Sequence, residues 1–155
     1  MGQVELVGPV DEAVGYVLKQ AATALRAAMD VALRPLELTV PQYSCLELLG
    51  QRSGLSGAEL ARGTFVTRQS MNLVLQGLQQ RGLLTRPTTP DHGKALPTEL
   101  TAAGRRQLKA ASVAVRAVEK QMLTSLSAGA QRRLRADLAR CVAALNDNRT
   151  PPNSR

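Results

Sequence analysis

Between Thr64 and Arg86 the chain contains neither Asp nor Glu, yet Met71, Val74, Leu75 and Leu78 recur there at i, i+3, i+4 and i+7. That spacing lays one apolar stripe along a helix. Arg68, Gln69, Asn72, Leu73 and Gln76 fall on the opposite face. Thr67 is the expected N-cap and Gly82 the residue just past the end. Upstream, Ser56 followed by Glu59 matches a capping box and predicts a short helix over Gly57–Arg62, with a turn from Gly63 to Val66. A capped short helix, a turn and a second capped helix with an acid-free polar face confine this stretch to very few folds.

The residues beyond Gly82 narrow the choice further. Leu83–Arg86 is a strand candidate, RPTTPDHGKALP is loop material, and Leu96–Leu100 can return as a strand that Pro97 confines to an edge. Helix–turn–helix, strand, Gly/Pro loop, returning strand is the order of a winged helix-turn-helix. Its second helix is slim enough to enter the major groove of duplex DNA, where base edges carry a distinct donor and acceptor code. Gln and Asn can bond adenine in two places and Arg guanine. Ser56, Thr67, Arg68, Gln69, Ser70, Asn72 and Gln76 are therefore the candidate DNA contacts. Arg86 at the base of the loop and Lys94 near its tip join them as wing contacts to phosphate or the minor groove.

Charge agrees. Of the 155 residues 20 are Lys or Arg and 12 Asp or Glu, a formal +8. The excess is uneven: residues 1–51 carry net −3 and residues 52–106 net +5. A polyanion should meet the middle of the chain. Aromatic residues are only Tyr16, Tyr43 and Phe65, too few for the stacking platforms of single-strand and RNA binders. Cys45 and Cys141 stand alone, outside any CxxC or Cys/His cluster, and are read as small buried hydrophobes. One histidine, His92, and no nucleophile or phosphate-loop motif leave no enzyme, metal or cofactor signature. No stretch approaches the roughly 18 apolar residues a membrane span needs. The opening MGQVELVGPVDEAV has no basic segment leading into an apolar one, so no export signal is read and the cytoplasm is the expected compartment.

The flanks read as long helices. Asp11 or Glu12 can open the first, with Val14, Val17, Leu18, Ala21, Leu25, Ala28 and Met29 at helical spacing, ending before Pro35. Thr39-Val40-Pro41 starts a second, carrying Tyr43, Leu46, Leu48 and Leu49 toward Ser53-Gly54. Thr101 caps a helix through about Leu123 and Ser127 a last one through about Leu145. NDNRTPPNSR, from Asn146, reads as a disordered tail.

In L-S-G-A-E-L-A (Leu55–Ala61), V-T-R-Q-S-M-N (Val66–Asn72), L-Q-Q-R-G-L-L (Leu78–Leu84) and L-T-A-A-G-R (Leu100–Arg105) the chain resembles the MarR (multiple antibiotic resistance regulator) repressors. The likeness spans residues 10–147 and is strongest to an actinobacterial subgroup whose wing ends in a similar L-P-x-x-L-T. It implies a mainly α fold: a winged helix-turn-helix with a small β-hairpin wing between long N- and C-terminal dimerisation helices. The expected layout is an N-terminal dimerisation helix in 1–36, the DNA-binding domain in 37–101, C-terminal dimerisation helices in 102–147 and a tail in 148–155. Family wings read Asp-x-Arg-Arg where this chain has Asp91, His92, Gly93 and Lys94, so this wing should add less sequence specificity.

The resemblance also implies a homodimer on a pseudo-palindromic operator. Apolar residues at Val113, Val115, Val118, Met122, Leu123, Leu126, Leu134, Leu138, Val142 and Leu145 independently exceed what one small domain can cover. It implies, too, release by a small aromatic acid or phenol held between the dimerisation helices and the winged domain. Tyr16, Lys19, Gln20, Tyr43 and Leu46 are the candidate ligand residues. Competing readings are an effector-independent architectural DNA binder, a regulator sensing oxidants through Cys45 or Cys141, and a helical interaction module. An enzyme ranks last.

Overall fold

The computed structural model describes residues 8–86 and 97–147. It divides into two compact units, Met1–Val118 and Glu119–Arg155. The first holds α1 (Val14–Leu33), α2 (Val40–Gln51), α3 (Gly57–Thr64), α4 (Arg68–Gln80) and most of α5 (Ala102–Met122), with strands β1 (Leu84–Thr85) and β2 (Glu99–Leu100) between α4 and α5. The strands pair antiparallel, Leu84 with Leu100 and Thr85 with Glu99. The fold is thus the mainly helical winged helix-turn-helix expected.

Helix starts follow the capping residues. Thr39 and Ser56 each close a full capping box, with Gln42 and Glu59, and Thr67 Oγ1 accepts from Ser70 N at 3.0 Å. Each such cap satisfies amide groups the first turn would leave orphaned, worth about 1 kcal/mol. Leu33, Leu46, Leu60, Met71, Leu75, Leu78 and Leu84 are fully buried in one core cluster, with Val74 packed partly buried against it. At roughly 1.5–3 kcal/mol for each buried aliphatic side chain, this cluster is what orients α4.

Where α4 ends, Gly82 adopts φ +70, its N–H donates to Gln79 O at 2.9 Å and Leu83 N–H to Leu78 O at 3.0 Å. This is the Schellman arrangement that Gly82 predicts. The start of α5 is clasped to it: Thr101 N–H donates to Leu83 O at 3.1 Å, while Thr101 Oγ1 donates to Gly82 O at 2.6 Å and accepts from Gly104 N at 3.0 Å. Arg81 reaches back to the α1–α2 turn, donating to Glu37 O at 2.7 Å and Leu36 O at 3.3 Å; Gln107 donates to the same Leu36 carbonyl at 2.7 Å.

Several boundaries differ from the sequence reading. Neither Asp11 nor Glu12 opens α1; they lie in a 3-10 turn, Val10–Glu12, and Ala13 takes the N-cap without a side-chain bond. The expected turn at Gly63 begins only at Phe65: α3 runs two residues further, and the N–H groups of Phe65 and Val66 close it on Arg62 O and Ala61 O. Each strand is two residues long; Thr98 instead bridges Leu55, exchanging hydrogen bonds with the Gly54–Leu55 backbone. The last helix runs to Asp147, so Asn146 and Asp147 are helical. The loop Pro87–Leu96, with Lys94, and the tail 148–155 lie outside the described residues.

Thr98 is completely buried, and its hydroxyl has no hydrogen-bond partner among the described residues. An orphaned buried hydroxyl costs about 1–3 kcal/mol, and valine keeps its shape. Thr98→Val is therefore expected to stabilise the protein by about 1 kcal/mol in a thermal melt, and a lowered melting temperature would contradict this account.

The second unit comprises the end of α5 and α6 (Ala128–Asp147). Ser127 caps α6 by accepting from Ala130 N at 3.1 Å. Gln131 Nε2 closes the turn by donating to Leu123 O and Leu126 O. The two helices leave an open groove of about 560 Å3 whose apolar lining includes Met122, Leu123, Leu134 and Leu138.

Candidate nucleic-acid interface and effector cavity

The candidate DNA-contact face follows from how α4 is held. Met71, Leu75 and Leu78 are 0% exposed, which fixes the helix's rotation about its axis. Thr67, Arg68, Gln69, Ser70, Asn72 and Gln76 are consequently all exposed. Gln69, Asn72, Leu73 and Gln76 stand at i, i+3, i+4 and i+7, a single strip one side chain wide. The same packing leaves Leu73 68% exposed in that strip. Three of the candidates also serve the fold. Thr67 and Ser70 bond each other across the cap, Oγ1 to Oγ at 2.9 Å. Ser56, half-buried, accepts from Glu59 N and donates to Glu59 Oε1 at 3.0 Å. What these side chains offer outward is therefore small, whereas Arg68, Gln69, Asn72 and Gln76 are free to reach.

Arg86 is half-buried at the end of β1, and its charge acts on the Cys45 thiol. Burial pushes that thiol up to about 12, against the smaller opposite pull of Arg86. Cys45 thus behaves as the buried hydrophobe expected. Cys141 does not: it is exposed, because α6 keeps none of its residues buried within the chain. In the native protein iodoacetamide at pH 8 should label Cys141 readily and Cys45 about 100-fold more slowly or less, by peptide mass spectrometry. Because the folded thiol lies above its ordinary 9.0, the stability it contributes is whole below pH 9 and is lost as pH rises toward 12. Cys45→Ala should remove that alkaline loss; an unchanged pH dependence would show that another group causes it.

The candidate ligand residues do not gather in one place. Leu46 is fully buried in the core, while Tyr16, Lys19 and Gln20 are exposed along α1. Tyr43 is buried and borders a cavity of about 300 Å3 whose walls are Glu47, Gly50 and Gln51 of α2 and Leu108, Ser112 and Arg116 of α5. Burial raises the Tyr43 phenol, Glu47 pushes the same way, and Ser112 and Arg116 oppose them. Apart from Tyr43, sequence reasoning singled out none of these wall residues. Tyr43 and Glu47 share a helix face with Gly50, but nothing in the sequence ties them to Ser112 and Arg116, which the packing of α5 supplies.

The chain is similar to known transcriptional regulators. A model of the MarR family matches residues 36–95. The HTH-type transcriptional repressor Rv2887 of Mycobacterium tuberculosis is 44% identical over 127 residues, which cover 81% of this chain and 91% of that repressor. Its crystal structure in complex with DNA superposes with a TM-score of 0.72 at 41% identity, covering 84% of this chain and 98% of that one. Its complex with salicylic acid gives 0.70 at 42% identity, covering 86% and 99%. A probable transcriptional regulator of Pseudomonas aeruginosa gives 0.76 at 32% identity, again covering 86% and 99%.

Proposed function

Because the chain belongs to the MarR family, we propose that it is a homodimeric, non-enzymatic repressor that acts in the cytoplasm, grips a pseudo-palindromic duplex operator and is released by a small aromatic acid or phenol. The observation that carries the reading is the exposed, acid-free polar strip of α4, mounted on a doubly capped helix-turn-helix. Major-groove reading needs donors and acceptors without carboxylates near phosphate, and this strip provides them. The DNA and salicylic acid complexes of the Mycobacterium tuberculosis relative support both halves of the proposal.

Dimerisation is proposed through the apolar faces of the terminal helices, among them Val14 and Val17 of α1 and Val142 and Leu145 of α6, all half or more exposed in the single chain. Two-fold symmetry then presents two copies of α4 about 34 Å apart, one helical turn of DNA. For the effector, the cavity beside Tyr43 is large enough for one aromatic ring. Tyr43 and Arg116 can hold a carboxylate, with Leu108 against the ring. Tyr16, Lys19 and Gln20 remain proposed contacts that the dimer would have to bring in.

The deciding experiment is selection of bound duplexes from a random library, with and without salicylic acid. A palindromic consensus that disappears with the acid supports the reading; equal affinity for every sequence would favour an architectural DNA binder. On the selected duplex, Gln69→Ala and Asn72→Ala should each lose about 1–3 kcal/mol at particular base pairs. Lys94→Ala should weaken every duplex alike and lower the salt slope by about one counterion. A uniform loss from the α4 variants, or a base-specific one from Lys94→Ala, would reverse this division of labour.

A further inference from the structure

Phe65 is in the wrong conformation and the wrong solvent for its chemistry. It closes α3 with φ 59, the left-handed value that glycine or asparagine adopts with little strain and a bulky residue does not. Its N–H donates to Arg62 O and that of Val66 to Ala61 O at 3.1 Å, the same Schellman pattern that Gly82 makes at the end of α4. In that pattern Ala61 is buried and Val66 half-buried, so the backbone holds the Phe65 ring outward, 95% exposed. Neither the turn nor the core gains from a ring there. Leu73 raises the same question: a 68% exposed leucine between Gln69 and Gln76 in a strip of hydrogen-bonding side chains.

Both lie within the helix-turn-helix, Phe65 two residues ahead of the Thr67 cap and Leu73 in the strip itself. The segment that holds them has no acidic residue from Thr64 to Arg86, so its charge suits a polyanion. Thymine is the base whose major-groove edge carries an apolar group, the C5 methyl beside the O4 acceptor. An aliphatic side chain flanked by glutamines, and an aromatic ring in the turn just ahead of the helix that enters the groove, match such an edge. We propose that Leu73 and Phe65 are specificity-determining residues that recognise thymines of the operator through their C5 methyl groups. This rests on the DNA-binding reading above and names part of what that surface selects.

The test uses the full-length protein and a duplex it selects from a random library, with each thymine replaced in turn by deoxyuridine, which removes only the methyl. Fluorescence anisotropy should show one or more positions where the replacement weakens the wild-type protein about 3–10-fold, the scale of one buried methyl. At one such position Leu73→Ala should reduce the penalty to less than about 2-fold, and Phe65→Ala should do so at a different one, with the salt slope unchanged. Both side chains are exposed, so the variants should fold. Phe65→Asn should in addition raise the melting temperature by about 2 °C while weakening operator binding, since asparagine suits the left-handed turn. A variant that keeps the full penalty at every thymine overturns the assignment for its residue, and a wild-type protein indifferent to every replacement overturns both. Failure of the underlying reading looks different: no duplex is enriched at all.

Discussion

Gly104→Ala is expected to destabilise the protein by about 2 kcal/mol, although alanine is the better helix former by about 1 kcal/mol. Gly104 lies buried in the first turn of α5, and a β-carbon there would strike the Leu83 carbonyl oxygen, with Leu83 C at 3.0 Å and Leu100 Cδ2 at 3.4 Å. Leu83 cannot withdraw. Its N–H is committed to Leu78 and its carbonyl to Thr101, so any shift opens both the end of α4 and the start of α5. Overpacking against backbone typically costs 1–3 kcal/mol or more, and here it outweighs the helical gain. A melting temperature lowered by about 4–8 °C is the expected readout. Gly15→Ala in α1, where nothing lies within 4 Å of the added carbon, is the control and should be neutral or slightly stabilising. If Gly104→Ala melts as high as that control, the close packing at this junction has been misjudged.

The second large effect concerns assembly. Leu134, Leu138, Val142 and Leu145 form one stripe along α6 at i, i+4, i+8 and i+11, and Val142 and Leu145 are 59% and 70% exposed in the single chain. These two also stand apart from the groove that α6 forms with α5. Val142→Asp with Leu145→Asp should therefore leave the chain's own packing intact, and a dimer that buried them would have to desolvate carboxylates. Sedimentation should show a monomer at micromolar concentration, with helical circular dichroism retained. Operator affinity should fall at least about 100-fold, because each half-site alone supplies only part of the binding energy. A variant that stays dimeric would move the interface away from this end of α6.

How far the sequence disclosed these features depends on the range over which each is encoded. Ser56 with Glu59, Thr67, Thr101 and Ser127 mark helix starts because a cap is a local bond across three residues. Thr39 with Gln42 carries the same signal, and the reading of Thr39 and Pro41 passed over the glutamine. Pro35 and Gly82 mark ends for equally local reasons. Phe65 could not be read this way, since the left-handed turn it makes is one the sequence usually announces with glycine or asparagine. The exposed polar strip of α4 was legible because burial of Met71, Leu75 and Leu78 dictates everything opposite them. The cavity beside Tyr43 was not, because Ser112 and Arg116 reach it only through the packing of α5 against α2. Cys141 was misjudged because an apolar stripe does not say whether its cover comes from the same chain.

The clasp between Gly82–Leu83 and Thr101–Gly104 has a consequence for how such a regulator diversifies. Both ends of the hairpin are fixed within a few ångströms of each other by two hydrogen bonds from Thr101, to Leu83 O and Gly82 O, independently of what connects Arg86 to Pro97. A closed stem of this kind makes the intervening segment an exchangeable cassette, whose lengthening adds only a slowly growing closure entropy. Charges, arginines or whole loops can be traded there without re-registering α4 or α5, so one segment can vary while the helices on either side keep their packing. Substitution at Thr101 would loosen that stem, since this one residue supplies both of the bonds that close it.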